Sequence, residues 1–172
     1  MSIAHGGSTP PAGNELEGIK TMIRIERVQD LQDTDLKALN YLLPQLKSSS
    51  PPAELDMEAL KSIVSNPNTT LLAAKEDERI IGCLVLVVYR NLAKTRAWIE
   101  NVIVDEKHRN KGIGRLLNKY AIVYAANAGA SDINLMSRSN RVPANKLYKR
   151  LGFIKRDTNV YRYEVRMYID MK

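Results

Sequence analysis

The residues whose types and spacing could do chemistry lie between Val102 and Leu117, in the run Val-Ile-Val-Asp-Glu-Lys-His-Arg-Asn-Lys-Gly-Ile-Gly-Arg-Leu-Leu. A β-branched stretch ends there, a basic loop follows, two glycines appear, and an amphipathic helical run begins. The first amides of a helix have no intrahelical acceptor and the helix dipole adds partial positive charge, so such a start suits an anion. Glycine lets a phosphate oxygen approach the backbone with no Cβ in the way. Arg109, Lys111 and Arg115 surround the same turn with positive charge. A phosphate or pyrophosphate between Arg109 and Arg115 suits this arrangement, although a solvated loop with a basic face meets the same spacing. A Walker A loop needs Gly-x-x-x-x-Gly-Lys-Ser/Thr and is absent. A dinucleotide fingerprint needs a third glycine where Leu117 stands. What remains is Arg109-Asn-Lys-Gly112-Ile-Gly114.

Other reactive residue types are few. Glu100 stands in an otherwise apolar strand, where an unpartnered carboxylate is costly. It is a candidate base or substrate contact, and a structural hydrogen bond or an exposed edge position explains it equally. Tyr148 lies on an amphipathic helix, where a half-buried core tyrosine is the plainer reading of the spacing. Cys83 falls in a central apolar strand and reads as core rather than nucleophile. His108 neighbours Arg109 in a charged loop and is expected in solvent, as is the turn Asp105-Glu106-Lys107. Two distant histidines, His5 and His108, and one cysteine make no zinc site.

These residues need elements to position them. Met22 to Val28 alternates apolar and polar residues and reads as a first strand. Asp30 can cap a helix from Leu31, with Leu36, Leu39, Leu42 and Leu43 on one face. Pro44 to Pro52 reads as a loop, and Leu55 to Ser65 as a second helix ended by Asn66-Pro67-Asn68. Strands follow over Thr69 to Lys75, Ile80 to Tyr89 and Thr95 to Val104, with Glu76-Asp77-Glu78 turning the chain after the first. Ile113, Leu116, Leu117, Tyr120, Ala121 and Tyr124 repeat at helical steps, and Gly129 stops that helix. Ile133 to Met136 is a short strand. Pro143 suits the first turn of a last helix that runs to about Leu151 and stops at Gly152. Phe153-Ile154 could add a short strand, and Val160 to Ile169 a final one. The order β-α-α-β-β-β-α-β-α-β implies an α/β (α+β) fold, a mixed, mostly antiparallel central sheet with helices on both faces.

The bulk numbers agree. A chain of 172 residues, 44% hydrophobic and 26% charged, suits one soluble domain, read as residues 21–172. Residues 1–20, rich in Gly, Ser and Pro, read as a disordered tail or an appended remnant, without the basic start and apolar block of a secretory signal. No apolar run is long enough to span a bilayer. The single cysteine excludes an internal disulfide and points to the reducing cytoplasm. A net charge of +7 favours acidic partners, such as nucleic acid, a membrane surface or a phosphorylated cofactor, without choosing among them.

The run Arg109 to Gly114 resembles the coenzyme A-binding motif of the GNAT superfamily of N-acetyltransferases. Three further matches support the likeness: the strand Trp98-Ile-Glu-Asn-Val-Ile-Val104 before the loop, the segment Asn145-Lys-Leu-Tyr-Lys-Arg-Leu-Gly-Phe153 after it, and the order of elements. The resemblance covers roughly Met22 to Ile169. It implies a GNAT-like fold in which the strand at Trp98 to Val104 splays from the one at Ile133. The pantetheine arm of acetyl-CoA would enter that gap and pair with backbone of Val102, Ile103 and Val104. One N–H there would polarise the thioester carbonyl as an oxyanion donor does. The backbone of Arg109, Asn110, Lys111, Gly112, Ile113 and Gly114, with Arg115, would hold the pyrophosphate, and Asn140 would touch the cofactor. Tyr148 would protonate the departing thiolate, and Glu100 would take the proton an amine must lose. Acetyl-CoA serves as cosubstrate, and no metal is implied.

The implied reaction is direct acetyl transfer to an amine. A non-catalytic acyl-CoA-binding module of the same fold is the competing reading. A nucleic-acid-binding protein rests only on charge, because Trp98 and Phe153 are the only Trp and Phe and the tyrosines fall mostly inward. Neither nucleic acid nor membrane is expected as a partner. The acceptor, a small-molecule or peptide amine, is not specified. Its recognition is expected from the first two helices and the loop at Pro44 to Pro52. Dimers are common in the family, and the final strand, as a sheet edge, could pair with another chain to form a homodimer.

Overall fold

The computed structural model describes residues 23–46 and 54–163. They divide at Met136/Ser137 into two compact units, and the expected disordered tail lies outside the described residues. The first unit contains strand β1 (Ile23–Arg27), helix α1 (Asp33–Leu42) running into a 3₁₀ turn (Leu43–Leu46), helix α2 (Met57–Ser65) and strands β2 (Thr69–Glu76), β3 (Arg79–Arg90) and β4 (Thr95–Val104). Helix α3 (Ile113–Asn127) and the short strand β5 (Ile133–Leu135) complete it. The second unit holds helix α4 (Val142–Arg150).

The five strands lie in sequence order in one sheet. The first three neighbours pair antiparallel and β4 with β5 parallel. This is the mixed, mostly antiparallel α/β sheet that the element order implies. Successive strand residues face opposite sides. Leu71 and Ala73 of β2 therefore join Cys83, Ile103 and the α1 and α2 residues Leu39, Leu42 and Leu60 in one core. Leu72 and Ala74 face the other side, where α3 buries Ile113, Leu117, Ala121 and Ala125. The β2–β3 hairpin turns on Asp77 and Glu78, both at positive φ, the geometry that matches the twist of a two-residue hairpin.

The start of α1 differs from the expected one. The cap is Gln32, whose N–H donates to Asp35 Oδ2 at 3.1 Å, and not Asp30. Asp35 is buried, and its other oxygen lies 3.3 Å from Lys75 Nζ, which also pairs with Glu26 at 3.0 Å. A carboxylate already committed to a buried lysine two residues into the helix fixes the helix start beside it. Helix α2 begins as its residues dictate, with Asp56 Oδ1 accepting the Ala59 N–H at 2.7 Å.

Two features govern β4. At its start, Asp132 clamps it to β5. The Asp132 carboxylate accepts from Lys94 (2.5 Å), Asn134 (2.9 Å) and Arg96 (3.0 Å), which hold it well below the usual carboxylate range. Ala97 N–H donates to Asp132 O and Ser131 N–H to Thr95 O. Further along, β4 carries an extra residue: Cys83 pairs with Ile103 but Val85 pairs with Glu100. Asn101, at φ 52°, absorbs this bulge. Opposite it, Gly82 is buried so tightly that a Cβ would stand 2.9 Å from Ile103 O.

The described residues 153–163 carry no strand, so neither Phe153-Ile154 nor the start of the expected Val160–Ile169 strand is one. Tyr161 and Tyr163 are exposed, and among the described residues no ladder bond ties them to a neighbour; apolar alternation makes a strand only where another strand accepts its hydrogen bonds. Residues 164–169 lie outside the described residues.

Because Gly82 meets backbone rather than a movable side chain, Gly82→Ala should destabilise the protein by about 1–3 kcal/mol in urea unfolding. A neutral result would mean that the β3–β4 bulge can open without cost.

Candidate functional site

Strand β4 reaches the site half paired. Its parallel partner matches only Ala97 with Ile133, Trp98 with Asn134 and Ile99 with Leu135. Beyond Ile99 no strand among the described residues pairs with the β5 side of Glu100–Val104. A stretch of edge backbone is thus left open on that side, next to the turn that leads into α3. Val102 and Val104 are partly exposed there, while Ile103 is turned into the core on the α1 side. The Val104 carbonyl is already used, accepting from Arg109 Nε at 3.1 Å.

Glu100 pairs with Val85, which packs against the α1–α2 core, so its carboxyl lies on that face of the sheet. It is half-buried, and burial pushes its carboxyl above the usual range. No charged partner contributes to the shift. A carboxylate whose proton affinity is raised in this way is a better base than a solvated one. Cys83, buried on β3 opposite Ile103, has its thiol pushed up to about 12 by burial, which removes it as a nucleophile.

The loop after β4 is more ordered than its charge suggests. Asp105 is only 2% exposed. Its N–H donates to Ile81 O, its Oδ1 accepts the Lys107 N–H at 3.2 Å, and its carbonyl accepts the His108 N–H. His108 lies between two carboxylates, with Nε2 3.0 Å from Glu76 Oε2 and Nδ1 3.3 Å from Asp105 Oδ2. Glu106 and Lys107 are exposed as expected of a solvated turn, whereas Asp105 and His108 are drawn in, because the loop folds back onto the ends of β2 and β3. Glu106 N–H donates to Gln45 Oε1 at 2.9 Å, and the same oxygen lies 3.3 Å from Arg109 Nη2. Arg109 therefore braces the loop with its side chain instead of offering it to a ligand.

Asn110 (φ 64°) and Gly112 (φ 79°) then both take the left-handed conformation, and Gly112 is the N-cap of α3. Glycine is needed at 112 for that conformation and not for space, since no protein atom lies within 4 Å of a Cβ there. No side chain caps α3, so the first-turn amides of Ile113, Gly114 and Arg115 have no helical acceptor. Lys111 and Arg115 are exposed, with no carboxylate partner among the described residues. One turn below, the fully buried Asn118 donates from Nδ2 to Gly114 O at 2.7 Å, and its Oδ1 has no partner among the described residues. The turn is a preformed cradle of N–H groups edged by cations.

In the second unit, Asn140 is exposed in the turn before α4. Asn145 Nδ2 donates to Arg138 O at 2.8 Å and holds that turn to the helix. The end of α4 accounts for the Tyr-x-x-x-Gly-Phe spacing. Phe153 N–H donates to Tyr148 O, Gly152 N–H to Lys149 O, and Gly152 sits at φ 92°. This pair of bonds is a Schellman ending, and its usual apolar contact is here the edge-on packing of Tyr148 on Phe153, ring centres 5.9 Å apart. Burial raises the Tyr148 phenol above its ordinary range, against a smaller opposing effect of Arg141.

The structure thus brings Glu100, Val102, Val104 and the turn Arg109–Arg115 together in one unit, and Asn140 and Tyr148 in the other. Gln45, Glu76 and Asn118 were not anticipated. Asn118 alone had a sequence signal, a polar residue four after Gly114 on the inward face of a strong helix.

A sequence model described as the acetyltransferase (GNAT) family matches residues 34–153. The human N-alpha-acetyltransferase 30 is 29% identical over 157 residues, covering 89% of this chain and 41% of that protein. A streptothricin acetyltransferase of Escherichia coli is 28% identical over 103 residues, covering 59% of this chain and 57% of that protein. The matched regions are thus less than two thirds of these relatives' own lengths. Among solved structures, an acetyltransferase from Agrobacterium tumefaciens superposes with TM-score 0.72 at 23% identity, covering 83% of this chain and 100% of that one. An aminoglycoside acetyltransferase from an uncultured soil metagenomic sample gives 0.70 at 21%, covering 84% and 96%. These two establish likeness of fold.

Since burial raises the Glu100 pKa, folding favours its neutral form. That stabilisation is complete below the unfolded value and is lost as pH rises through the folded one. Glu100→Gln should therefore raise Tm at pH 7–8 and leave it unchanged near pH 3. A lower Tm at neutral pH would assign Glu100 a structural partner instead.

Proposed function

The chain belongs to the acetyltransferase (GNAT) family, and on that premise we propose that it transfers the acetyl group of acetyl-CoA directly to an amine. The observation that carries this reading is the short β4–β5 pairing. A strand paired for three residues and then left open, running straight into an uncapped helix start, supplies backbone for a pantetheine arm and amides for a pyrophosphate. The backbone of Arg109, Asn110, Lys111, Gly112, Ile113 and Gly114 would hold the phosphates, with Lys111 and Arg115 adding charge at the rim and Asn140 a further contact. Val102 and Val104 would lie along the arm, the latter with its N–H only, and an N–H of this strand would polarise the thioester carbonyl.

The remaining chemistry falls to two side chains. Glu100, directly or through one water, would accept the proton of the ammonium acceptor, freeing the lone pair that attacks the carbonyl carbon. The new C–N bond forms as the C–S bond breaks, and Tyr148 would give its phenolic proton to the departing thiolate. Neither step needs a metal, and no cluster of three or more His, Cys, Asp or Glu able to hold one occurs among the described residues.

The relatives' names suggest two acceptor classes, streptothricin and an α-amine. The net charge of +7 mildly disfavours a strongly cationic acceptor. We place the protein in the cytoplasm on its single, buried cysteine. No helix among the described residues is long and apolar enough to cross a membrane. Residues 21–172 are taken as one acetyltransferase domain, with a homodimer as one assembly state.

A second reading, an acyl-CoA-binding module without turnover, is favoured by one observation: the Schellman ending already explains why Tyr148 and Phe153 stand where they do. Calorimetric titration of acetyl-CoA, with Gly112→Asp as control, should give binding that the control loses through strain at a positive φ and repulsion of phosphate. An amine library screened for thiol release should then detect turnover. Tyr148→Phe keeps the ring contact and should slow turnover about 10- to 1,000-fold at unchanged acetyl-CoA affinity. Turnover should also rise with pH through the raised Glu100 pKa. Binding without thiol release from any amine would favour the second reading; no binding of acetyl-CoA by folded protein would sink the first and leave the second only for a longer acyl-CoA.

A further inference from the structure

We infer that Gln45 is a positioning residue for the phosphate turn, and that through it coenzyme occupancy is linked to the end of α1. The inference deepens the proposed function and rests on the turn at Arg109–Gly114 being the phosphate site. The turn contains two left-handed residues, Asn110 and Gly112. For Asn110 that conformation is intrinsically unfavourable and persists only where neighbours impose it. The side chain of the residue immediately before it, Arg109, is held twice: Nε donates to Val104 O at 3.1 Å, and Nη2 to Gln45 Oε1 at 3.3 Å. The same Gln45 oxygen accepts the Glu106 N–H at 2.9 Å. One side-chain oxygen therefore ties both ends of the segment between β4 and the turn, while Val104 closes the ring from the strand.

Gln45 does not belong to the coenzyme-side elements. It sits in the 3₁₀ turn Leu43–Leu46 that ends α1, on the sheet face that also carries Glu100. Gln45 itself falls in Pro44 to Pro52, the loop from which, with the first two helices, acceptor recognition was expected. A ligand that tightens the phosphate turn must favour the arrangement in which Gln45 is engaged, and by linkage whatever fixes Leu43–Leu46 must tighten the turn by the same factor. Acidic groups near the loop do not substitute for this contact: Glu76 and Asp105 lie against His108, and Glu106 takes part through its backbone, its N–H donating to Gln45 Oε1 and its carbonyl accepting the Arg109 N–H.

The test compares wild type, Gln45→Leu and Gln45→Glu. Glutamate keeps an oxygen at the same reach; leucine keeps the bulk and removes the acceptor. Acetyl-CoA titration should show a Kd about 5- to 30-fold weaker for Gln45→Leu, the effect of losing a hydrogen bond to a charged group, and within about threefold of wild type for Gln45→Glu. Hydrogen exchange on the unliganded proteins should show faster amides over residues 106–114 in Gln45→Leu, with β3 unchanged. Acetyl-CoA should slow exchange at Leu43–Leu46 in wild type and not in Gln45→Leu. Wild-type affinity and exchange in Gln45→Leu would overturn the inference, as would equal losses in both variants with a common fall in Tm. Should wild type itself not bind acetyl-CoA, the proposed function fails, and exchange over 106–114 in the unliganded variants still decides the role of Gln45.

Discussion

A strand that must be paired on both sides at one end and on one side at the other sets the design of this molecule. Unpaired backbone inside a fold is costly, so a half-open strand has to be enforced. Asp132 enforces the closed end: one carboxylate gathers Lys94, Arg96 and Asn134 at the point where β5 joins β4. The open end follows from how short β5 is, three residues against ten in β4. The bulge at Asn101 adds a local twist where pairing stops, and buried Gly82 lets β3 follow it closely. Remove the clamp and the two strands lose their register; lengthen β5 and the gap closes.

The second constraint is that the turn after the strand must hold its shape with amides unsatisfied. Left-handed residues and an uncapped helix start are each unfavourable alone. The surroundings compensate from three directions. Asp105 and His108 fasten the loop to the ends of β2 and β3, Gln45 and Arg109 fasten it to the end of α1, and Asn118 grips Gly114 from within the helix. These bonds are made by polar side chains, several of them buried. Holding such a turn in one shape requires directional contacts that apolar packing does not provide.

Much of this was legible in the sequence. The limits of β4 and α3 coincide with the reading from Thr95 to Val104 and from Ile113 onward, because β-branched residues and a strong helical stripe mark them without competition. The turn Arg109–Gly114 was legible because glycines at positive φ and helix starts have local causes. What sequence could not give is long-range. Gln45 lies 64 residues from Arg109 and carries no local mark. Asp105 and His108 looked solvated because charge in a loop usually is; only the fold-back onto β2 and β3 reveals otherwise. Asp30 looked like a cap until Lys75 claimed Asp35. Residues 160–163, the described start of the last expected strand, are in no strand, because alternation does not supply a neighbour.

Tyr148 shows how one spacing can carry two causes. The Schellman ending requires a residue free of Cβ at 152, an apolar residue at 153 and an apolar partner at 148. Any large apolar side chain would serve at 148, and leucine or methionine has a better helix propensity than tyrosine. Helix termination therefore accounts for the ring contact and not for the hydroxyl. A phenol oxygen placed where burial raises its pKa is an extra cost to the fold, and the packing with Phe153 fixes the ring that carries it. Structural and chemical roles need not compete at such a position. The packing sets where the ring lies, and whatever chemistry the oxygen performs depends on that setting.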